Sequence, residues 1–412
     1  MNRATPFTIF VPMPAQLSGE QLHKAALEFG TPLYVYHAER IKEQYEKLLT
    51  AFQGADVKFF YAAKALTNIN ILKYIKSIGS NIDCSSVNEA KLAAKAGFLP
   101  QQILYTSSNI SFEEIEEARR MGIHINIDSI SNLEKFGKKS GHDYPVGIRL
   151  RPNIMAGGNL KISTGHAGSK FGVPLENIEE VLKVQQETGL FIRTLHIHTG
   201  SDIKDVDVFA KGIEVLFEVA KYFPELEVID LGGGIKVPYK PGEEGTDIEL
   251  LGKKVKEEFE WFEKKYSRHL QVWFEPGKYL VSEAGYFITK VNVLKRSGDI
   301  TFAGVDSGLN HFIRPMFYGA YHEIENISNP SGEKRKYHVV GNICETDTFA
   351  EDRLLPEIRE GDHLVFRNAG AYGFEMSSNY NSRFKPAELM LRDGQAHLIR
   401  KREDMDDLLR GQ

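Results

Sequence analysis

The sequence predicts a (β/α)8 TIM-like barrel followed by an all-β domain, and three observations carry that prediction. Between about residues 55 and 280, eight short β-branched or aromatic runs alternate with helix-patterned segments. Helix-starting serines and helix-stopping glycines fall in phase with those runs. After about residue 284 the helical pattern stops, and strands with tight-turn signals take over. An open, doubly wound sheet is the alternative that fits the same rhythm.

The runs are VKFFYAA (57–63), NIDC (81–84), ILYTSS (103–108), IHINIDS (123–129), VGIRLR (146–151), FIRTLHIH (191–198), LEVIDL (226–231) and LQVWFE (270–275). Between them, Ser86 with Glu89, Ser111 with Glu114 and Ser131 with Glu134 each have the spacing of a capping box, which satisfies orphan N–H groups at a helix start. Gly97, Gly122, Gly141 and Gly189 stand where a left-handed helix stop is expected. The later strands are YFITKVNVL, ITFAGVD, YHVVGNIC, HLVFRNAG and the hairpin AELMLRDGQAHLIRK, which turns at Asp393-Gly394. PFTIF and PLYVY near the start read as further strands of this second domain. The expected division is therefore an N-terminal segment (1–35) contributing to the β domain, a barrel (36–283), and a β-sandwich or barrel-like domain (284–412).

Composition narrows the function. The 412 residues carry 51 Lys+Arg against 56 Asp+Glu, a formal charge of −5, so there is no electrostatic footprint for nucleic acid or an anionic membrane. No apolar run approaches the roughly 18–20 residues of a membrane span. The opening MNRATPFTIFVPMP, broken by Pro12, makes a poor signal peptide. Two cysteines, Cys84 and Cys344, cannot form a disulfide framework, which points to a reducing, cytoplasmic setting. No cluster of metal-ligand spacing stands out.

In a barrel the residues just past each strand share one pocket. Lys64 follows the first run, Asn109 is just past the third, and Asp128 falls in the fourth. Arg149 and Arg151 close the fifth, and His198-Thr-Gly-Ser201 the sixth. Gly232-Gly233-Gly234 follows the seventh and Glu275-Pro-Gly277 the eighth. Each has an ordinary reading: a snorkelling lysine, a tight turn, an ion-paired carboxylate, a satisfied core histidine. Together they suggest something more specific. A desolvated amine of lowered pKa suits Schiff-base chemistry. Glycines let backbone N–H groups approach phosphate oxygens, a carboxylate can keep a pyridinium nitrogen protonated, and an imidazole can stack on a flat ring. Pyridoxal 5′-phosphate fits all four.

The motifs YAAKA (61–65), SKFG (169–172), HIHTGSD (196–202), LGGG (231–234), EPGK (275–278), IRPMFYGAYHEI (313–324), CETDTF (344–349) and GAYGFEMSSNYNSR (370–383) carry a resemblance. The chain resembles the fold-type III pyridoxal-phosphate-dependent decarboxylases, the group acting on ornithine, arginine and diaminopimelate. The resemblance implies that Lys64 is the Schiff-base lysine, that His198 stacks on the cofactor ring and that Glu275 meets its nitrogen. Ser201, Gly233, Gly234, Gly277 and Tyr372 would hold the phosphate. Arg314, Tyr318, Glu345, Tyr372 and Lys278 match substrate-binding positions, and Cys344 the residue linked to protonating the product carbanion. It further implies a homodimer with shared active sites, in which Cys344 and Glu345 serve the partner.

The expected substrate is a small amino acid, meso-2,6-diaminopimelate, yielding L-lysine and CO2. Relatives acting on ornithine typically have Asp after the Cys, whereas this chain has Glu345. A distal carboxylate also gives Arg314 a counter-ion. The alternatives are a decarboxylase for another basic amino acid or carboxylated polyamine, and a non-catalytic relative. An alanine-racemase-like activity fits less well, because those barrels set an Arg against the ring nitrogen. Two departures stand out: Lys278 replaces the usual Arg of EPGR, and Arg151 stands where Asn is more usual.

Overall fold

Buried parallel strands need apolar residues on both faces, and the eight runs form such strands. The computed structural model describes residues 16–154 and 168–412. Its barrel strands are 1 (Val57–Ala62), 2 (Asn81–Cys84), 3 (Ile103–Thr106), 4 (His124–Ile127), 5 (Val146–Arg151), 6 (Ile192–His196), 7 (Val228–Asp230) and 8 (Gln271–Phe274). Each runs parallel to the next. Strand 8 pairs with strand 1, Val272 lying opposite Val57, and strand 4 with strand 5, Asn126 opposite Gly147. The sheet is closed, which excludes the open doubly wound alternative.

Helices pack around it by their apolar stripes. Val206–Ala220 buries Val206, Phe209, Ile213, Leu216, Phe217 and Ala220, spaced at three and four residues. Each of the larger of these side chains contributes about 1.5–3 kcal/mol when fully buried. Ser86 Oγ accepts from the Glu89 N–H at 3.2 Å, and Ser111 Oγ from Glu114 at 3.3 Å. The carboxylates do not complete the boxes: Glu89 accepts from Ser85, and Glu114 from Val87 and the Tyr105 hydroxyl. The third helix start differs from expectation. Ser129, in extended conformation, accepts from Asn132, so the helix begins at Ile130 and Ser131 lies inside it.

The second sheet takes its middle strand from the other end of the chain. Leu33–His37 runs antiparallel to Gly285–Ser297 and parallel to Ala387–Arg392. PLYVY therefore joins this sheet, as expected, whereas PFTIF lies outside the described residues. Asp393 and Gly394 both have positive φ and turn the final hairpin into Gln395–Arg400. Two strands escaped the sequence reading: Ile324–Asn326, which is very short, and Thr348–Pro356, whose centre carries Glu351, Asp352 and Arg353.

This second domain holds the first barrel loop in place. Tyr372 N–H donates to the Ala65 carbonyl at 2.9 Å, and Glu375 accepts from the Thr67 N–H at 2.7 Å and its hydroxyl at 2.5 Å. Glu388, fully buried, accepts from Asn68 Nδ2 (2.9 Å) and the Tyr36 hydroxyl (2.8 Å) and pairs with Arg400. Asn68 in turn caps the helix that follows Lys64. Four of these contacts, besides the Arg400 ion pair, are carboxylate hydrogen bonds in partly or fully buried surroundings, where they are strongest.

Candidate active site

A cavity of about 560 Å3 opens at the C-terminal ends of the barrel strands. Lys64, His198, Ser201, Glu275, Lys278, Arg314, Tyr318 and Tyr372 all line it. Gly233, Gly234 and Gly277 line a small adjoining recess. Eleven of the thirteen residues to which the resemblance gave a role thus converge on one place; of the other strand-end residues, Arg149 also lines the cavity, whereas Asn109 and Asp128 do not. Cys344 and Glu345 do not either: they sit on an exposed surface with Tyr380 and Asn381.

Lys64 lies in a single 3-10 turn directly after strand 1, and its Nζ is 3.4 Å from Asp83 Oδ2 on strand 2. Burial works against its charge, but Asp83 and then Tyr372 and Glu275 outweigh that and hold the amine above the usual lysine range. The lowered pKa expected from the sequence is therefore reversed. Asp83 itself is pushed up to about 8, by burial first and Glu275 second, with Lys64 pulling the other way.

Glu275 directly follows strand 8 and is 5% exposed. Its Oε1 accepts from Thr106 Oγ1 at 3.3 Å and lies 3.4 Å from His196 Nε2. Burial would raise its pKa, yet His196 and then Lys64 hold it far below the usual carboxylate range. The neighbouring Asp230 goes the other way, raised by burial and by Glu275. The two adjacent carboxyl groups are thus pushed in opposite directions, Glu275 toward its ionised form and Asp230 toward its protonated form. His198 is lowered to about 3 by burial, Arg149 and Lys64, so its imidazole is neutral at physiological pH; its Nδ1 accepts from the Gly233 N–H at 3.1 Å.

The glycines are sterically required. Gly234 has φ +101°, and a Cβ there would stand 2.3 Å from the Gly200 carbonyl oxygen; a Cβ on Gly233 would stand 2.6 Å from that of Glu275. The backbone is packed too closely here to carry side chains, and both glycines line the recess with bare backbone, which suits a phosphate.

Arg314 is 7% exposed, and no carboxylate partners it among the described residues. Aromatic rings surround it: Tyr239, Tyr318 and Tyr372, with centres 5.4, 5.8 and 6.0 Å from its Cζ. Lys278 is committed to Asp202, 2.7 Å away. Arg151 turns from the cavity to donate to the Ser169 carbonyl at 2.5 Å.

Sequence reasoning did not single out Asp83, His196, Asp230, Asp202 or Thr106. Strand alternation offered one signal, since His196 shares the parity of His198 in HIH. The acids gave none, because NIDC and LEVIDL read as ordinary buried strands.

An amine able to condense with a carbonyl, sharing a cavity with a carboxylate kept ionised against its own burial, is the equipment of a pyridoxal-phosphate enzyme. Comparison with known proteins narrows that class. Residues 38–282 match the family described as pyridoxal-dependent decarboxylase, pyridoxal binding domain. The diaminopimelate decarboxylase of Methanothermobacter thermautotrophicus is 41% identical over 96% of this chain and 95% of that protein. The diaminopimelate decarboxylase of Campylobacter jejuni is 34% identical, over 92% and 95%. Among solved structures, the Helicobacter pylori diaminopimelate decarboxylase complexed with L-lysine superposes with a TM-score of 0.87 at 33% identity, covering 94% of this chain and 98% of that one. The chain belongs to the pyridoxal-dependent decarboxylases and, within them, to the diaminopimelate decarboxylases. It is a pyridoxal-phosphate-dependent amino-acid decarboxylase.

Proposed function

We propose that the chain decarboxylates meso-2,6-diaminopimelate to L-lysine and CO2, and that the residues gathered above divide the work as follows. Lys64 would hold the cofactor through its amine, His198 would face its ring, and Glu275 would meet its nitrogen. Ser201, Gly233, Gly234, Gly277 and Tyr372 would hold its phosphate. Pyridoxal phosphate, when bound, supplies a conjugated ring that accepts the electron pair left as CO2 departs. Glu275 would contribute a fixed negative charge to it, and Lys64 Nζ an amine able to carry a proton.

The observation that carries the substrate assignment is Arg314, a buried guanidinium without a carboxylate partner among the described residues. Such a charge is costly unless a ligand neutralises it. A meso compound has one D and one L centre, and L-lysine retains the L centre, so the carboxylate lost is the D one. The L-centre carboxylate then meets Arg314, with Tyr318 beside it. Lys278 and Asp202, already paired, present both signs to the same zwitterionic end.

The expected result is a kcat/KM for CO2 release from meso-diaminopimelate at least about a hundredfold above that for L-ornithine or L-lysine, because both lack a second carboxylate for Arg314. A preference for the plain diamino acids overturns the assignment.

The active unit is a homodimer on this reading. Cys344 and Glu345 are exposed and stand outside the cavity of their own chain, which supports a role in a partner's site. Hydrogen bonds from Asn381 and Tyr380 lower the Cys344 pKa, suiting its Sγ to deliver a proton to the product carbon. Tyr380 also donates to Glu345 at 2.8 Å, fixing the carboxylate that would accept from the substrate ammonium. Mixing inactive Lys64→Ala and Glu345→Ala chains is expected to restore roughly a quarter of wild-type activity, the statistical share of intact sites. No recovery after verified subunit exchange contradicts shared sites. A reducing cytoplasm suits the two unpaired cysteines, one buried and one exposed. No described helix is long and apolar enough to cross a membrane.

A further inference from the structure

Arg314 has five N–H donors in one rigid plane and can grip a carboxylate side-on, through Nε and one Nη, or end-on through both Nη atoms. His322, eight residues further on and 3% exposed, decides between these. Its Nδ1 lies 2.9 Å from the carbonyl oxygen of Arg367, which can only accept, so the proton is on Nδ1 and Nε2 presents a lone pair. Arg314 Nε donates to that Nε2 at 3.4 Å. Burial and Arg314 itself lower His322 to about 3, so the ring stays a neutral acceptor at physiological pH. Phe312 meets the ring edge-on at 4.5 Å and Tyr239 at 5.3 Å, which fixes its plane.

We propose that His322 is a positioning residue for substrate choice: by occupying Nε it closes the side-on mode and leaves the Nη fork of Arg314 as the carboxylate receptor. This rests on the reading of Arg314 given above. A ligand ending in a carboxylate gains from the arrangement, and one without it does not.

The test is equilibrium calorimetry on the holoenzyme with two ligands, L-lysine, which keeps the carboxylate, and 1,5-diaminopentane, which lacks it. His322→Asn and His322→Leu both remove the acceptor facing Arg314, whereas His322→Gln places an amide oxygen near the position of Nε2. Asn and Leu are expected to weaken L-lysine about tenfold and to raise KM for meso-diaminopimelate similarly. Gln should stay within about threefold of wild type, kcat should change by less than about twofold, and 1,5-diaminopentane should bind all forms alike. Wild-type affinity for L-lysine in a folded Asn or Leu variant overturns the proposal. So does a loss shared by 1,5-diaminopentane, or failure of both variants to fold while Gln folds. Arg314→Ala separates the levels. If it loses L-lysine while His322→Asn keeps it, only the role of His322 falls; if it binds L-lysine normally, the reading of Arg314 falls too.

Discussion

Lys64→Ala is expected to abolish the cofactor's absorption band near about 420 nm and to reduce turnover by at least about a thousandfold. The argument is positional. Lys64 sits in one 3-10 turn whose neighbours are tied to the β domain through Ala65, Thr67 and Asn68, so its amine is delivered to one place. The cavity's other lysines are poor substitutes: Lys278 is paired with Asp202, and Lys170 lies over the Phe171 ring, 5.1 Å from its centre. The fold should survive the change. Asp83 loses its cation, but burial already raises its pKa and removing Lys64 raises it further, so it can take up a proton rather than stand as an unpaired buried charge. A circular-dichroism melt close to that of wild type, with the band gone, is the expected pair of observations. A band that persists in Lys64→Ala means that another amine holds the cofactor.

Glu275→Gln is expected to keep the cofactor bound and to lower kcat by at least about a hundredfold. The amide preserves shape and can still accept from Thr106, so what it removes is charge. That charge is unusual: burial opposes it, and His196 and Lys64 sustain it. Asp230 is a poor substitute, since burial and Glu275 both raise its pKa. Without the anion, a proton on a ring nitrogen loses the carboxylate that would favour it, and the departing electron pair has a weaker acceptor. Stopped-flow absorption separates the two claims, because cofactor content and turnover are read on the same sample. Unchanged kcat would remove Glu275 from the chemistry.

The barrel was legible because strands buried on both faces must be written in β-branched and aromatic residues, and serine caps punctuate the helices between them. The limit shows at Ser131. Its spacing to Glu134 imitates a cap, but Ser129, two residues earlier, has the extended conformation that a cap requires. Thr348–Pro356 was missed for a related reason, since charged residues at its centre hide the strand. Site residues were legible where function forces a residue just past a strand end, as for Lys64, His198 and Glu275. Those acting through a neighbour were not. Asp83 meets Lys64 only because strands 1 and 2 pair, and that contact reverses the direction expected for the lysine. His322 has no periodic signal at all, and its meaning lies in the carbonyl of Arg367, 45 residues away in sequence.

The central claim is that one cavity brings a cofactor-bearing lysine, an ionised carboxylate and a buried arginine to a single substrate. A crystal structure of the holoenzyme with L-lysine tests it most directly. The account predicts the ring joined to Lys64 or to the ligand amine, its nitrogen against Glu275, its phosphate in the Gly233-Gly234 recess, and the lysine carboxylate on the Arg314 fork. A ring bound elsewhere, or a carboxylate turned away from Arg314, would contradict it.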